Sequence, residues 1–212
     1  MNTASHPIPR IAFAALAAAT LSACASTYTG PVEVTRFVAE QPAGLGQGAI
    51  TLELPGEEEL SNRNARAAFA DAVAAELEAQ GYDVVMQGGA GVQVATIRTS
   101  RNEIAGATGR RGPVSVGVGG GTGGYRSGVG LGVGINLGGG DRGPNVVTEL
   151  SVRISGANGE SLWEGRAEQP VSVKSPYADV DASARTLASA LFRDFPGGNG
   201  ETVTIDVDEL SD

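Results

Sequence analysis

The chain has 212 residues, with 24 acidic and 15 basic side chains, a formal charge of −9, one histidine, one cysteine and 32 glycines. That length suits one ordinary domain with room for a tether and an insertion. Scattered, outnumbered cations argue against a nucleic-acid partner, because counterion release needs clustered Lys and Arg, and the same acidity argues against adhesion to anionic lipid by charge.

The first 24 residues follow a fixed order: Arg10, an apolar run from Ile11 to Ala19, Thr20, then Leu21-Ser22-Ala23-Cys24. The apolar run is about half of the roughly 20 residues that a spanning helix needs, so a transmembrane anchor is excluded. Charged front, apolar middle and small residues before a cysteine resemble the lipobox of bacterial lipoproteins. The resemblance implies that residues 1–23 are a signal peptide that is cut away, that Cys24 is acylated with groups such as palmitate, and that the chain hangs from a membrane by its lipids. Ala25 rather than Asp follows Cys24, which by the same resemblance implies the outer membrane, with the domain facing the periplasm. Buried methylenes contribute about 0.8 kcal/mol each, so the family's three acyl chains exceed the two-anchor threshold for stable attachment.

Cleavage leaves 212 − 23 = 189 residues and removes His6, the sole histidine. With Cys24 acylated, the mature chain has no imidazole and no free thiol. That rules out a Ser/His/Asp triad, a cysteine nucleophile, a His-ligated zinc and a disulfide framework. Chemistry is left to Asp, Glu, Arg, Tyr, Ser, Thr and the single lysine, Lys174. No cofactor and no metal site is expected.

Residues 24–30 read as a tether of small and polar residues, and residues 31–198 as one domain. Val32, Val34 and Phe37 mark a first strand; residues 41–48 are loop; Ile50, Leu52 and Leu54 alternate in a second strand stopped by Pro55-Gly56. Glu57-Glu58-Glu59 invite a metal hypothesis. No further ligands lie near in sequence, so these acids are read as favouring the helix dipole, with Ser61 or Asn62 as the cap. The helix runs to about Gln80 with Phe69, Val73 and Leu77 as its buried stripe and Gly81 as its stop. Residues 82–86 and 92–99 are the next strands, joined by a Gly-Gly-Ala-Gly turn.

Residues 146–154 and 161–173 form a hairpin around Ala157-Asn158-Gly159-Glu160, where Asn-Gly suggests a type I′ turn. Leu150, Val152 and Ile154 share one face; Leu162 and Trp163 are adjacent and take opposite faces, with Trp163 in the core or against a helix. The last helix is predicted from Asp181 as N-cap, through Ala184, Leu187, Ala188, Leu191, Phe192 and Phe195, to Pro196-Gly197-Gly198. Residues 199–212 form an acidic tail or a weak edge strand. The fold class expected is α+β: a mainly antiparallel β-sheet with two amphipathic helices on one face and a Gly-rich hairpin or loop insertion.

The helix end "Glu-Leu-Glu-Ala-Gln-Gly-Tyr", the strand pair with "Gly-Glu-Ser-Leu-Trp-Glu-Gly-Arg-Ala" and the closing "Leu-Phe-Arg-Asp-Phe-Pro" resemble the lipoproteins grouped as the domain of unknown function numbered 4136. The resemblance covers most of residues 50–196 apart from the glycine segment. It implies an envelope lipoprotein with an α+β fold, and it brings no catalytic residues.

Within residues 105–143, 17 of these 39 positions are glycine. Val114, Val116 and Val118 alternate with Ser or Gly, and Val129, Leu131, Val133, Ile135 and Leu137 do so again, a period-2 pattern with one apolar and one bare face. Gly119, Gly121 and Gly124 match a dinucleotide fingerprint by spacing, but no strand-to-helix unit follows. Three readings stay open: a loop extending the flanking strands, an interaction hairpin pairing with a partner's sheet edge or another copy, or a strand pair inserted in the membrane as part of a ring, for which only the second arm approaches the required length.

The function expected is that of a non-catalytic outer-membrane lipoprotein serving binding or envelope maintenance, with an envelope protein or itself as partner. The alternatives are a component of an oligomeric outer-membrane assembly, or a hydrolase of envelope polymers working with two carboxylates. Against the hydrolase, the acids fall mostly at helix starts, turns and the tail. A converging acid pair in a cleft would favour it.

Overall fold

The computed structural model describes residues 27–56, 63–86, 89, 91–104 and 145–210. The lipobox, Glu57, Glu58, Glu59, Ser61, Asn62 and the glycine segment with Val129, Leu131, Val133, Ile135 and Leu137 lie outside the described residues.

Seven strands form one sheet: β1 Val32–Val38, β2 Gly48–Glu53, β3 Tyr82–Val85, β4 Gln93–Ile104, β5 Asn145–Ser155, β6 Ser161–Ser172 and β7 Thr202–Ile205, in the order β3-β2-β4-β5-β6-β1-β7. Two helices, α1 Arg63–Ala79 and α2 Val180–Phe192, pack on each other and on the sheet. The α+β expectation holds.

Alternation along each strand decides which side chains meet the helices. Val32, Val34, Ala95, Ile97, Leu150, Val152, Ile154, Trp163 and Ala167 are all buried, and the pairings set them side by side on one face. Phe69, Val73 and Leu77 of α1, and Leu187, Ala188 and Leu191 of α2, complete that core. A fully buried large apolar side chain contributes about 1.5–3 kcal/mol, so the three-residue stripe of α1 does more to hold it helical than its propensity does. Trp163 sits among Phe192 and Phe195, with ring centroids 5.3 and 5.2 Å away, and its indole N–H donates to the Pro196 carbonyl at 2.9 Å. Leu162, on the other face by register, is buried as well.

Several local expectations are corrected. β2 pairs in parallel with both β3 and β4, while the other four pairings are antiparallel. The α1 crossover returns the chain to the same end of the sheet, which forces β3 parallel to β2. β3 ends opposite Thr51 and β4 starts opposite Ile50, so no long return is needed between them. β4 also runs on to Ile104, past the expected end at Thr99.

The hairpin turn is not type I′. The Gly156 N–H donates to the Glu160 carbonyl and the Gly159 N–H to the Gly156 carbonyl, with positive φ at Gly159 alone of the turn residues. That is a three-residue loop, a type I turn closed by a left-handed glycine, which leaves Asn158 in an ordinary conformation with its Oδ1 accepting from the Glu160 N–H.

Helix α2 is capped by Asp179, not Asp181: its Oδ1 accepts from the N–H groups of Asp181 and Ala182. Its last residue is Phe192, ahead of Phe195 and Pro196. The buried Arg36 of β1 takes up the carbonyls there, with Nε to Leu191 at 2.9 Å and Nη2 to Ala190 and Arg193 at 2.9 and 2.8 Å. A cation at the carbonyl end of a helix satisfies both the orphan acceptors and the dipole.

Candidate functional site

The face of the sheet turned away from the helices carries the charge. In β1, β5 and β6 the positions alternating with the core are Glu33, Thr35 and Phe37; Glu149, Ser151 and Arg153; and Glu164, Arg166 and Glu168. The register sets Glu33 directly opposite Glu168, and Glu168 directly opposite Glu149, so three glutamates stand in one row across three adjacent strands. The next row holds Thr35, Arg166, Ser151 and Arg98.

Like charges directly opposed across strands repel, at roughly 0.2–1 kcal/mol per pair. Arg166 offsets this: its Nη2 lies 2.6 Å from Glu149 Oε2 and 3.5 Å from Glu168 Oε2. Glu168 is the less exposed of the two acids, at 16% against 26%. Burial pushes its carboxyl above the usual range and the Arg166 charge pulls it back, while Glu149 and Glu33 push it up again. Tyr28, whose carbonyl accepts from the Ser172 N–H of β6 at 2.8 Å, has its hydroxyl pKa raised by burial and then by the Glu33 charge. A further pair, Arg153 with Glu164 at 3.8 Å, is half exposed and contributes little.

Such a face can offer alternating carboxylate acceptors and guanidinium donors to a polar or cationic surface. Among the described residues no group of three His, Cys, Asp or Glu is placed to hold a metal ion. The hollow beside the start of α1 is lined by Leu54, Arg63, Arg66, Ala67 and Ala70 and contains no carboxylate.

At the end of the sheet next to the glycine segment, buried polar side chains gather. Thr148 and Gln169 oppose one another, and Gln169 Nε2 donates to the Gly30 carbonyl at 3.0 Å. Thr148 Oγ1, Gln169 Oε1 and Asn145 Oδ1 are buried without a hydrogen-bond partner.

The sites expected from sequence, Cys24 with Leu21, Ser22 and Ala23 and the alternating residues of the glycine segment, are not among the described residues. The glutamate row was missed. The expectation that acids fall mostly at helix starts, turns and the tail does not hold for Glu33, Glu149, Glu164 and Glu168, which lie within strands. Period-2 polarity marks them as outward-facing, but only the register brings three of them together.

No protein-family model matches the chain, and no curated protein matches it. Among solved structures, a PDZ domain protein from Parabacteroides distasonis is similar at 17% identity and a TM-score of 0.45, over 90% of this chain and 41% of that one. A PelC dodecamer from Paraburkholderia phytofirmans is similar at 13% identity and a TM-score of 0.34, over 74% of this chain and 91% of that one. The chain thus spans less than half of the first of these, and neither likeness is strong enough to carry an argument about function. Among the described residues no helix is long and apolar enough to cross a membrane.

Proposed function

We propose that this chain is a lipid-anchored protein of the bacterial outer membrane, held by acyl groups on Cys24, whose α+β domain faces the periplasm and works by binding rather than by catalysis. The observation that carries the reading is the ordered segment Arg10, apolar run, Leu21-Ser22-Ala23-Cys24. The resemblance of the domain to the envelope lipoproteins named above points the same way. Its binding surface is the charged sheet face around Glu33, Glu149, Arg166 and Glu168, which is broad, open and polar, and suits an envelope component presenting complementary charge.

The test is metabolic labelling with a palmitate analogue in cells producing the full chain. Label in the wild type, its loss in Cys24→Ala, and recovery of the protein in the outer-membrane fraction support the anchor. An unlabelled wild type, or label that persists in Cys24→Ala, sinks it.

A second reading, a carboxylate-dependent hydrolase, is favoured by one observation: Glu168 is held above the usual carboxylate range next to a second glutamate, the condition for an acid and a base in one site. Against it, the row lies across a sheet face, and the hollow beside the start of α1 holds no carboxylate. Turnover of a cell-wall polymer by the wild type, abolished in Glu168→Gln, would decide for the enzyme.

A further inference from the structure

β2 leaves β4 early. The β2–β4 ladder ends at Glu53 opposite Thr96, whereas β4 stays paired with β5 as far as Ile104 opposite Asn145. Among the described residues, residues 97–104 are therefore paired on one side only, and no strand lies beyond them. Residues 98–104 are all exposed, although residues 145–148 of β5, opposite residues 101–104, are all buried. The other two sheet edges, β3 and β7, are four residues each. Short edges are one way proteins avoid edge-to-edge pairing, and lysine, proline and bulges are others. The free part of β4, Ile-Arg-Thr-Ser-Arg-Asn-Glu-Ile, has no lysine and no proline, and its register with β5 is unbroken from Val94–Ser155 to Ile104–Asn145. Its charges, Arg98, Arg101 and Glu103, are of both signs, so an antiparallel copy can match them rather than be repelled.

We propose that this edge pairs antiparallel with the same edge of a second copy of the chain, joining two sheets into one. The charges select both the partner and the register. A two-fold axis normal to the sheet keeps both helix layers on one side, so opposed residues carry numbers whose sum is even. Centring the axis on Arg101 would set Arg101 against its own copy, and centring it on Glu103 would do the same for Glu103. Centring it on Asn102 sets Arg101 opposite Glu103 twice, on the helix side of the sheet, and Ser100 opposite Ile104. Arg101 already donates through Nη2 to the Ala178 carbonyl, which holds its stem in place and leaves its other donors for the glutamate. Isologous pairing of this kind closes at two copies.

The test uses the full chain in detergent, with Asn102→Cys at the expected axis. Mild oxidation should give a disulfide-linked dimer in Asn102→Cys, and none in the wild type or in Glu164→Cys on the charged face. Adding Arg101→Glu or Glu103→Arg singly should lower the dimer yield about tenfold, since each creates two opposed like charges, and combining the two should restore it. No covalent dimer, or equal yields in the single and double charge variants, overturns the proposal. A disulfide with a different protein gives the edge to that protein, and slow hydrogen exchange of residues 98–104 in a monomer gives it to the chain's own residues 105–144; either result also overturns it.

Discussion

Arg36 Nε donates to the Leu191 carbonyl across 155 residues of sequence, 2.9 Å away in the fold. With its other two bonds, to Ala190 and Arg193, it terminates α2 from underneath and ties the first strand to the last helix. Gly197 closes over it: with φ at 78°, its Cβ position lies 2.6 Å from the Arg36 Cδ, so this residue must be glycine both for its backbone and for the space.

Arg36→Met is expected to lower unfolding stability by about 3 kcal/mol, because it strands three carbonyls in a buried place. Arg36→Lys should recover less than half of that, since a single ammonium cannot span the three acceptors as the fork does. Urea denaturation of the two variants checks both statements.

Gly165→Ala is expected to cost roughly 1–3 kcal/mol by overpacking. A methyl group there would overlap the Trp163 ring and come within 2.8 Å of Leu191 Cδ1. Trp163 is the chain's only tryptophan, so its emission reports the displacement directly. An unchanged spectrum with unchanged stability would show that the ring does not rest on Gly165.

Glu168 gives a pH dependence of defined sign. Its pKa is raised in the folded state, by burial first and then by Glu149 and Glu33 against the pull of Arg166. The folded protein therefore holds this proton more tightly than the unfolded chain does, and stability from this group rises as pH falls from the raised folded value towards the unfolded value of about 4.3. Glu168→Gln should remove that rise. At neutral pH the variant should equal or exceed the wild type by up to about 1 kcal/mol, because two opposed like-charge pairs disappear while Arg166 keeps Glu149. Thermal unfolding of both proteins from pH 4 to 8 compares the curves.

Thr148→Val is expected to leave stability unchanged or raise it by roughly 1 kcal/mol. The hydroxyl is buried and unpartnered, so replacing it by a methyl group of the same shape removes a desolvation cost and breaks no bond. A loss of more than 1 kcal/mol in calorimetry would mean that the hydroxyl is bonded in solution.

Much of the fold was legible in the chain because it is written in local periodicities. The stripe Phe69, Val73, Leu77 needs only the 3.6-residue turn of a helix, and Leu150, Val152, Ile154 only the alternation of a strand; both are buried as expected. The α+β class follows from the order of those elements. The chain alone also carries the Leu21-Ser22-Ala23-Cys24 pattern and the loss of histidine and thiol chemistry that cleavage there implies. What the tertiary structure decided is what depends on distance along the chain. The placing of β2 between two parallel neighbours, the bonds from Arg36 to a helix end more than 150 residues away, and the meeting of Glu33, Glu149 and Glu168 all require a cross-strand register. A strand's own pattern says which residues share a face. It does not say which strand will lie beside it, because that is set by how the buried faces of all seven strands and both helices fit at once.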